Sequence, residues 1–313
     1  TQLFMNCTAL VNVPITDFRK MSSSSTFMNT GITSLSNIIV PNAYQMFAVC
    51  TKLLTVTNAT FEGSTSLTFS NCYKLTSITA TIAGSSMANM FEYCSVLSSA
   101  SITCTAPAAT NLDFQYMFER CSRLNPSTLT ISIPNNNKYI ATRMFGYCNH
   151  TNFTQLPSTL DYSRATSVQA MFAYCSYLKS TGNLTLTECV FANTMFLSCA
   201  NLANVGNISA PIATTCSSFF ASCARLVTVA GTLSFPNSTD FSGMFSSCYL
   251  LNHIPVIDTT GATNFSNMFS GARAIKVYNN NYNLSSATTL QSMFSGCNEL
   301  TSVTISDTFT TTN

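Results

Sequence analysis

Along the whole chain an apolar stripe recurs at positions 0, +3 and +6, followed by a stretch in which apolar and polar residues alternate. The stripe reads MFEYCSVL at 90–97, MFERCSRL at 117–124, MFAYCSYL at 171–178 and MFSSCYLL at 244–251. Aligned on phenylalanine, the copies fall at Phe4, Phe27, Phe47, Phe69, Phe91, Phe118, Phe145, Phe172, Phe196, Phe220, Phe245, Phe269 and Phe294, thirteen in all, 20 to 27 residues apart. Met precedes nine of them, Cys follows three residues later in eleven, and Leu six residues later in ten. Side chains at i, i+3 and i+6 share one face of a helical or 3₁₀ turn, so each copy predicts a short helical turn. The alternating runs LTSITATI (75–82), LVTVAGTLSF (226–235) and LTSVTI (300–305) predict half-buried strands. One such unit cannot bury its own stripe, so neighbours must stack, with strands parallel and about 4.8 Å apart. The pattern predicts a repeat solenoid of 13 units, each a short helical turn plus a parallel strand, forming one continuous curved sheet in a single domain over residues 1–313.

Stacking in register assigns the conspicuous residues to the wall. Phe47, Phe91, Phe118, Phe145, Phe172, Phe196, Phe220, Phe245 and Phe294 are expected to form an aromatic spine. Cys50, Cys94, Cys121, Cys148, Cys175, Cys199, Cys223, Cys248 and Cys297 are expected to form a parallel ladder of buried thiols. Equally directed Cα–Cβ bonds do not face one another as a disulfide requires, so the thiols are expected to stay reduced. Zinc sites want paired Cys-x₂-Cys segments, which are missing, and His150 and His253 stand alone; no metal site is expected. Eleven equivalent cysteines indicate a shared structural task rather than one activated nucleophile.

The pattern Met-Phe-x-x-Cys-x-x-Leu followed by a strand resembles the BspA-like leucine-rich repeat surface proteins over the whole chain. Segments such as APAATNLDFQYMFERCSRL (106–124) are similar to repeats in surface proteins of gut bacteria and in tail proteins of their phages. The resemblance implies a leucine-rich-repeat-like solenoid displayed outside the cell and used for attachment, with no catalytic residues. Two copies depart from the pattern. The Phe145 copy reads CNHTNFTQL in place of Cys-x-x-Leu, and the Phe27 copy is short; both predict local irregularities in stacking.

Composition narrows the function. Only 8% of residues are charged and the net charge is +2, with no basic run. Binding to a phosphate backbone needs clustered Lys and Arg, so nucleic acid is not an expected partner. No stretch of about 18 apolar residues is present, so no membrane-spanning helix is expected. The chain opens on a motif copy without a polar capping unit, which predicts that further sequence precedes Thr1 in a larger product. Carboxylates are scattered, and no phosphate loop, zinc-protease helix or nucleophile elbow occurs; no catalytic site and no cofactor are expected. Solubility must come from 87 Ser and Thr and 30 Asn. In the alternating runs Thr55, Thr57, Ser77, Thr79, Ser99, Ser101, Asn204, Thr228, His253, Ser302 and Thr304 point outward and form the candidate ligand face. PNNNKYIATR (134–143) and YNNNYNLSS (278–286) read equally as adaptable recognition loops or as Asn-favoured turns. The expected function is extracellular attachment to a host glycan or protein; the alternative is a structural or receptor-binding part of a virion tail, fibre or surface filament, contacting copies of itself or other subunits.

Overall fold

The computed structural model describes residues 2–21, 24–134, 136–279 and 281–305. Its contacts divide the chain into two compact units: Thr1–Phe153 with Pro157–Asp161, and Thr154–Leu156 with Tyr162–Asn313. Each unit is a β-solenoid whose parallel strands come from successive coils. The division falls in the copy that departs from the motif. There Phe153 is fully buried and packs on Phe145 at a centroid distance of 6.1 Å.

The motif itself is not helical, which corrects the expected helical turn. Among the described residues the helical segments are two 3₁₀ turns, Pro126–Thr128 and Tyr162–Arg164, and neither carries the motif. In the Phe91 coil alternate backbone N–H groups go to different places. Met90, Glu92 and Cys94 donate to carbonyls three residues back, those of Met87, Asn89 and Phe91. Asn89, Phe91 and Tyr93 donate across to Gln115, Met117 and Glu119 of the next coil, each at 2.9 Å. An α-helix would spend all of these donors internally; here half of them join the coils. The switch is made by left-handed residues two before and two after the motif Phe, such as Asn89 (φ 57°) and Tyr93 (φ 61°), which sit at the third position of successive type II turns. The same pair of positions is left-handed in every coil from Phe27 onward.

Left-handed backbone is costly for branched side chains. Val49 holds φ 59° at a position where other coils carry Asn71, Gly271 or Gly296. Val49→Asn is therefore expected to raise stability by about 1 kcal/mol, read as a higher denaturation midpoint at unchanged slope. A midpoint lowered by the substitution would show that Val49 packing outweighs its backbone strain.

Stacking the turns stacks the motif rings. In the first unit Phe4, Phe27, Phe47, Phe69, Phe91, Phe118 and Phe145 follow one another with centroids 5.2 to 5.8 Å apart and planes within 16°. In the second, Phe172, Phe196, Phe220, Phe245, Phe269 and Phe294 do the same at 5.6 to 5.8 Å. Edge-on rings such as Phe61 on Phe69 and Phe219 on Phe220 fill the flank of each spine.

The strands follow the turns. The first unit holds β1 (Ser34–Ser36), β2 (Ile39–Val40), β3 (Thr55–Phe61), β4 (Ser77–Ile82), β5 (Ser99–Cys104), β6 (Leu112–Asp113), β7 (Leu129–Ser132) and β8 (Tyr139–Ile140). β1, β3, β4, β5 and β7 pair in that order, all parallel, with β2 on β3, while β6 pairs with β8. The second unit holds β9 (Ala165–Ser167), β10 (Leu184–Thr185), β11 (Ile208–Ser209), β12 (Leu233–Ser234), β13 (Val277–Asn279) and β14 (Ser302–Thr304). There β10, β11 and β12 pair in order and β13 pairs with β14. The expected single continuous sheet is thus broken into separate ladders among the described residues. The alternation at 75–82 and 300–305 yields strands, but in 226–235 only Leu233–Ser234 does. Glycine interrupts that run at Gly231, where backbones approach so closely that a Cβ would lie 2.2 Å from the Gly206 carbonyl carbon.

Candidate functional site

The longest strand ladder of the first unit presents the outward face of β3, β4, β5 and β7. Inward, Ile78, Ala80 and Ile82 of β4 and Ala100, Ile102 and Cys104 of β5 are buried. Outward, register aligns hydroxyls in rows. Thr55, Ser77 and Ser99 form the first row; Thr79, Ser101 and Thr130 form the second; Thr60, Thr81, Thr103 and Ser132 form the third. The third row was not anticipated, although the alternation in SITATI and SASITC continues straight into it. Thr57 lies beside a bulge between Val56 and Ala59. Asn58 (φ 50°) occupies the bulge; its N–H donates to Thr79 Oγ1 at 2.8 Å and its Nδ2 to Asn37 Oδ1 at 3.3 Å. Asn58, Thr60, Thr79, Thr81, Ser101 and Thr103 surround a shallow depression of about 220 Å³.

Along the edge of the same coils, hydroxyls are consumed by the fold. Thr76 Oγ1 donates to Leu54 O, Ser98 Oγ to Thr76 O and Thr128 Oγ1 to Ser98 O, tying successive coils together at 2.9, 3.2 and 2.7 Å. On the sheet face, by contrast, the hydroxyls of Thr57, Thr81, Ser101, Thr103 and Thr130 make no hydrogen bond among the described residues, so they remain available to a ligand.

In the second unit the expected face does not assemble as one sheet. Asn204 is exposed at a lone bridge to Ser180. Thr228 is exposed outside any strand, because its run pairs only further on. His253 is also outside the strands, with Nδ1 2.5 Å from Asn252 Oδ1, in a cleft it shares with Lys276, Asn279 and Asn281. Ser302 and Thr304 are exposed on β14, opposite Val277 and Asn279. Of the Asn-rich loops, Asn135 and Asn280 lie outside the described residues.

The cysteines have a common geometry. Cys50, Cys72, Cys94, Cys121, Cys148, Cys199, Cys223, Cys248 and Cys297 each donate from Sγ to the motif-Phe carbonyl of the preceding coil, at 3.1 to 3.3 Å. Thus Phe91 O accepts both the Cys94 N–H at 2.9 Å and the Cys121 thiol at 3.2 Å, which fills its two lone pairs. Thr30, which replaces cysteine, donates its hydroxyl to Phe27 O at 2.9 Å. Burial pushes Cys94, Cys104 and Cys248 up to about 12 and Cys189 up to about 11. These are the opposite of the lowered values a nucleophile needs. No group of three metal-ligating side chains occurs among the described residues. With iodoacetamide at pH 8, Cys7, which is exposed, is expected to label first and half-exposed Cys297 slowly. The twelve buried thiols should label only after unfolding. Mass mapping of labelled peptides checks this, and rapid uniform labelling would contradict the buried ladder.

One column escaped the pattern reading. Five residues before the motif Phe, the side-chain oxygens of Asn42, Asp113, Asp240 and Asn264 accept the N–H two residues on, at 3.0 to 3.3 Å. Thr215 and Thr289 do the same with their hydroxyls. These side chains end the return segment and start the turn. The signal is in the chain as an Asn, Asp, Ser or Thr at a fixed offset from most motif phenylalanines.

The coil geometry can be set beside known proteins. The model of BspA-type leucine-rich repeat regions matches residues 1–98, 38–151 and 65–179, together more than half of the chain. The chain belongs to the BspA-type leucine-rich repeat family. Within its BspA-type coils the repeat unit is therefore a chain of turns plus a short parallel strand. Residues 190–308 also match the model of a Mycoplasma protein of unknown function, DUF285. Among solved structures, the BspA-type chain is similar to a leucine-rich cell surface protein from Faecalibacterium prausnitzii, at 17% identity, over 88% of this chain and 84% of that one, with a TM-score of 0.36. No curated protein matches it. No helix among the described residues is long and apolar enough to cross a membrane.

Proposed function

We propose that residues 1–313 act as one non-enzymatic attachment module, displayed outside the cell, that presents the hydroxyl face of β3, β4, β5 and β7 to a glycan or protein of a host surface. The observation that carries this reading is the set of in-register hydroxyls without internal partners around the Asn58 depression. Hydroxyl and amide groups at a sheet's spacing can exchange hydrogen bonds with a sugar chain or a polar protein surface, and repeat solenoids commonly bind through such extended faces. The membership of the BspA-type family and the absence of activated side chains on this face support a binding role over a catalytic one.

The test is adhesion of the intact chain to host cells or to arrayed glycans. Ser101→Lys with Thr103→Lys adds two charges at exposed positions and is expected to abolish binding while leaving the melting temperature within about 2 °C. Undiminished adhesion by that variant would remove the face from the function. Electron microscopy showing the chain only as an ordered subunit of a particle would favour the structural role instead.

A further inference from the structure

The turn side of the first unit carries a feature that neither the wall nor the hydroxyl face uses. The left-handed positions flanking the motif Phe mostly hold small or amide residues, such as Asn71, Ser198, Ser222, Ser247 and Gly271. In the coils of Phe91, Phe118, Phe145 and Phe172 they also hold large ones: Tyr93, Tyr116, Arg120, Arg143, Tyr147 and Tyr174, all with φ between 53° and 64°. Bulky residues kept in a costly backbone region mark places where the side chain has work to do.

Equal coil lengths of 27 residues bring Tyr93, Arg120 and Tyr147 into one column and Tyr116 and Arg143 into a second. The Arg120 guanidinium lies 5.1 Å from the Tyr93 ring centroid and 4.3 Å from that of Tyr147, one coil on either side. Arg143 lies near Tyr116 and Tyr147 at 5.8 and 5.7 Å, but it is already neutralised: its Nη2 is 2.7 Å from Oε1 of buried Glu119. The other nearby carboxylate, Glu92, accepts from Asn89 Nδ2 at 2.9 Å. Among the described residues no carboxylate stands within hydrogen-bond distance of Arg120. Buried Glu119 acts on Arg120 through its charge but makes no hydrogen bond to it, so the guanidinium N–H groups keep no carboxylate acceptor.

We propose that this Tyr93–Arg120–Tyr147 ledge is a second binding site, distinct from the hydroxyl face, for a carboxylate-bearing glycan. A guanidinium flanked by two rings can meet a planar carboxylate with two parallel hydrogen bonds. The ring of Tyr93, 38% exposed, offers an apolar surface for the C–H face of the adjoining sugar. One guanidinium beside one exposed ring offers a single charge-matched contact, which suits a sugar acid rather than the roughly 800 Å² per partner that a stable protein interface buries.

The intact chain is tested against immobilised polygalacturonate and polysialic acid, with dextran as the neutral control, polyglutamate as the acidic polypeptide and heparin as the sulfated glycan. The carboxylated glycans are expected to bind and dextran not to. Arg120→Gln should weaken that binding about tenfold or more. Arg123→Gln, an exposed neighbour without ring contacts, should change it less than about twofold. Tyr93→Ser, which restores the residue type of the later coils, should also weaken binding, and it guards against a folding defect in the first variant. The Ser101→Lys, Thr103→Lys chain should retain full binding, so that failure here and failure of the hydroxyl face are separable. The assignment is overturned if wild-type chain binds neither carboxylated glycan, if Arg120→Gln binds them unchanged, if polyglutamate binds as tightly, or if heparin alone binds.

Discussion

Raising the pH from 8 to about 10.5 is expected to unfold this protein, in the presence of reductant and far from any extreme of temperature. Burial drives the effect. The thiols of Cys94, Cys104 and Cys248 are pushed up to about 12 and that of Cys189 to about 11, while Cys72, Cys121, Cys199, Cys216 and Cys223 lie well above the ordinary value of 9.0. Below pH 9 both folded and unfolded chains keep these protons, and the raised values cost nothing. Between pH 9 and about 11 the unfolded chain sheds them and the folded chain does not, so each thiol removes about 1.4 kcal/mol of stability per pH unit. The four thiols at about 11 to 12 alone remove on the order of 5 kcal/mol per unit, against a typical total of roughly 5–15 kcal/mol, and the other five act in the same direction. The midpoint therefore falls near pH 10 by this reckoning. Far-UV circular dichroism across the range measures it. A signal unchanged at pH 11 would mean that the thiols ionise without leaving the wall.

The second large effect belongs to the spine. Phe91→Ala is expected to cost about 3–5 kcal/mol, because the ring is fully buried between Phe69 at 5.8 Å and Phe118 at 5.3 Å, and neither neighbour can close the gap while its own backbone is hydrogen-bonded to the next coil. Phe191, 51% exposed and outside the spine, is the internal comparison: Phe191→Ala should stay within about 0.5 kcal/mol. Urea midpoints of the two variants measure the difference. Equal midpoints would show that the rings stack without contributing to the stability of the coils.

Much of the coil was legible before any coordinates. The thirteen phenylalanines and the leucines six residues on announce a repeat whose units must stack, and the stack places Phe over Phe and Cys beside Cys. The strand at 75–82 was readable because its alternation is unbroken and β-branched. The candidate face was readable in part for the same reason, through Ser77, Thr79, Ser99 and Ser101. Asn204, Thr228 and His253 sit on runs where glycine, asparagine or proline interrupts the alternation, and there the local pattern lost its predictive force. The bulge at Asn58 left no signature in periodicity, since one extra residue reads as one more polar position.

By itself the sequence determined the repeat, its length and the inward identity of Phe, Cys and Leu. Residue spacing settles these matters, because side chains at equal offsets in stacked units must share a column. Only the tertiary structure decided that the motif is a chain of turns rather than a helix. The offsets i, i+3 and i+6 suit both, and the choice rests on whether the N–H of residues such as Phe91 bonds within its coil or across to Met117. Tertiary structure also decided that the strands form separate ladders, that thiols address carbonyls one coil away, and that Arg120 lies between Tyr93 and Tyr147. Each of those outcomes depends on a neighbour some 21 to 30 residues distant, whose register exists only once the coils have stacked.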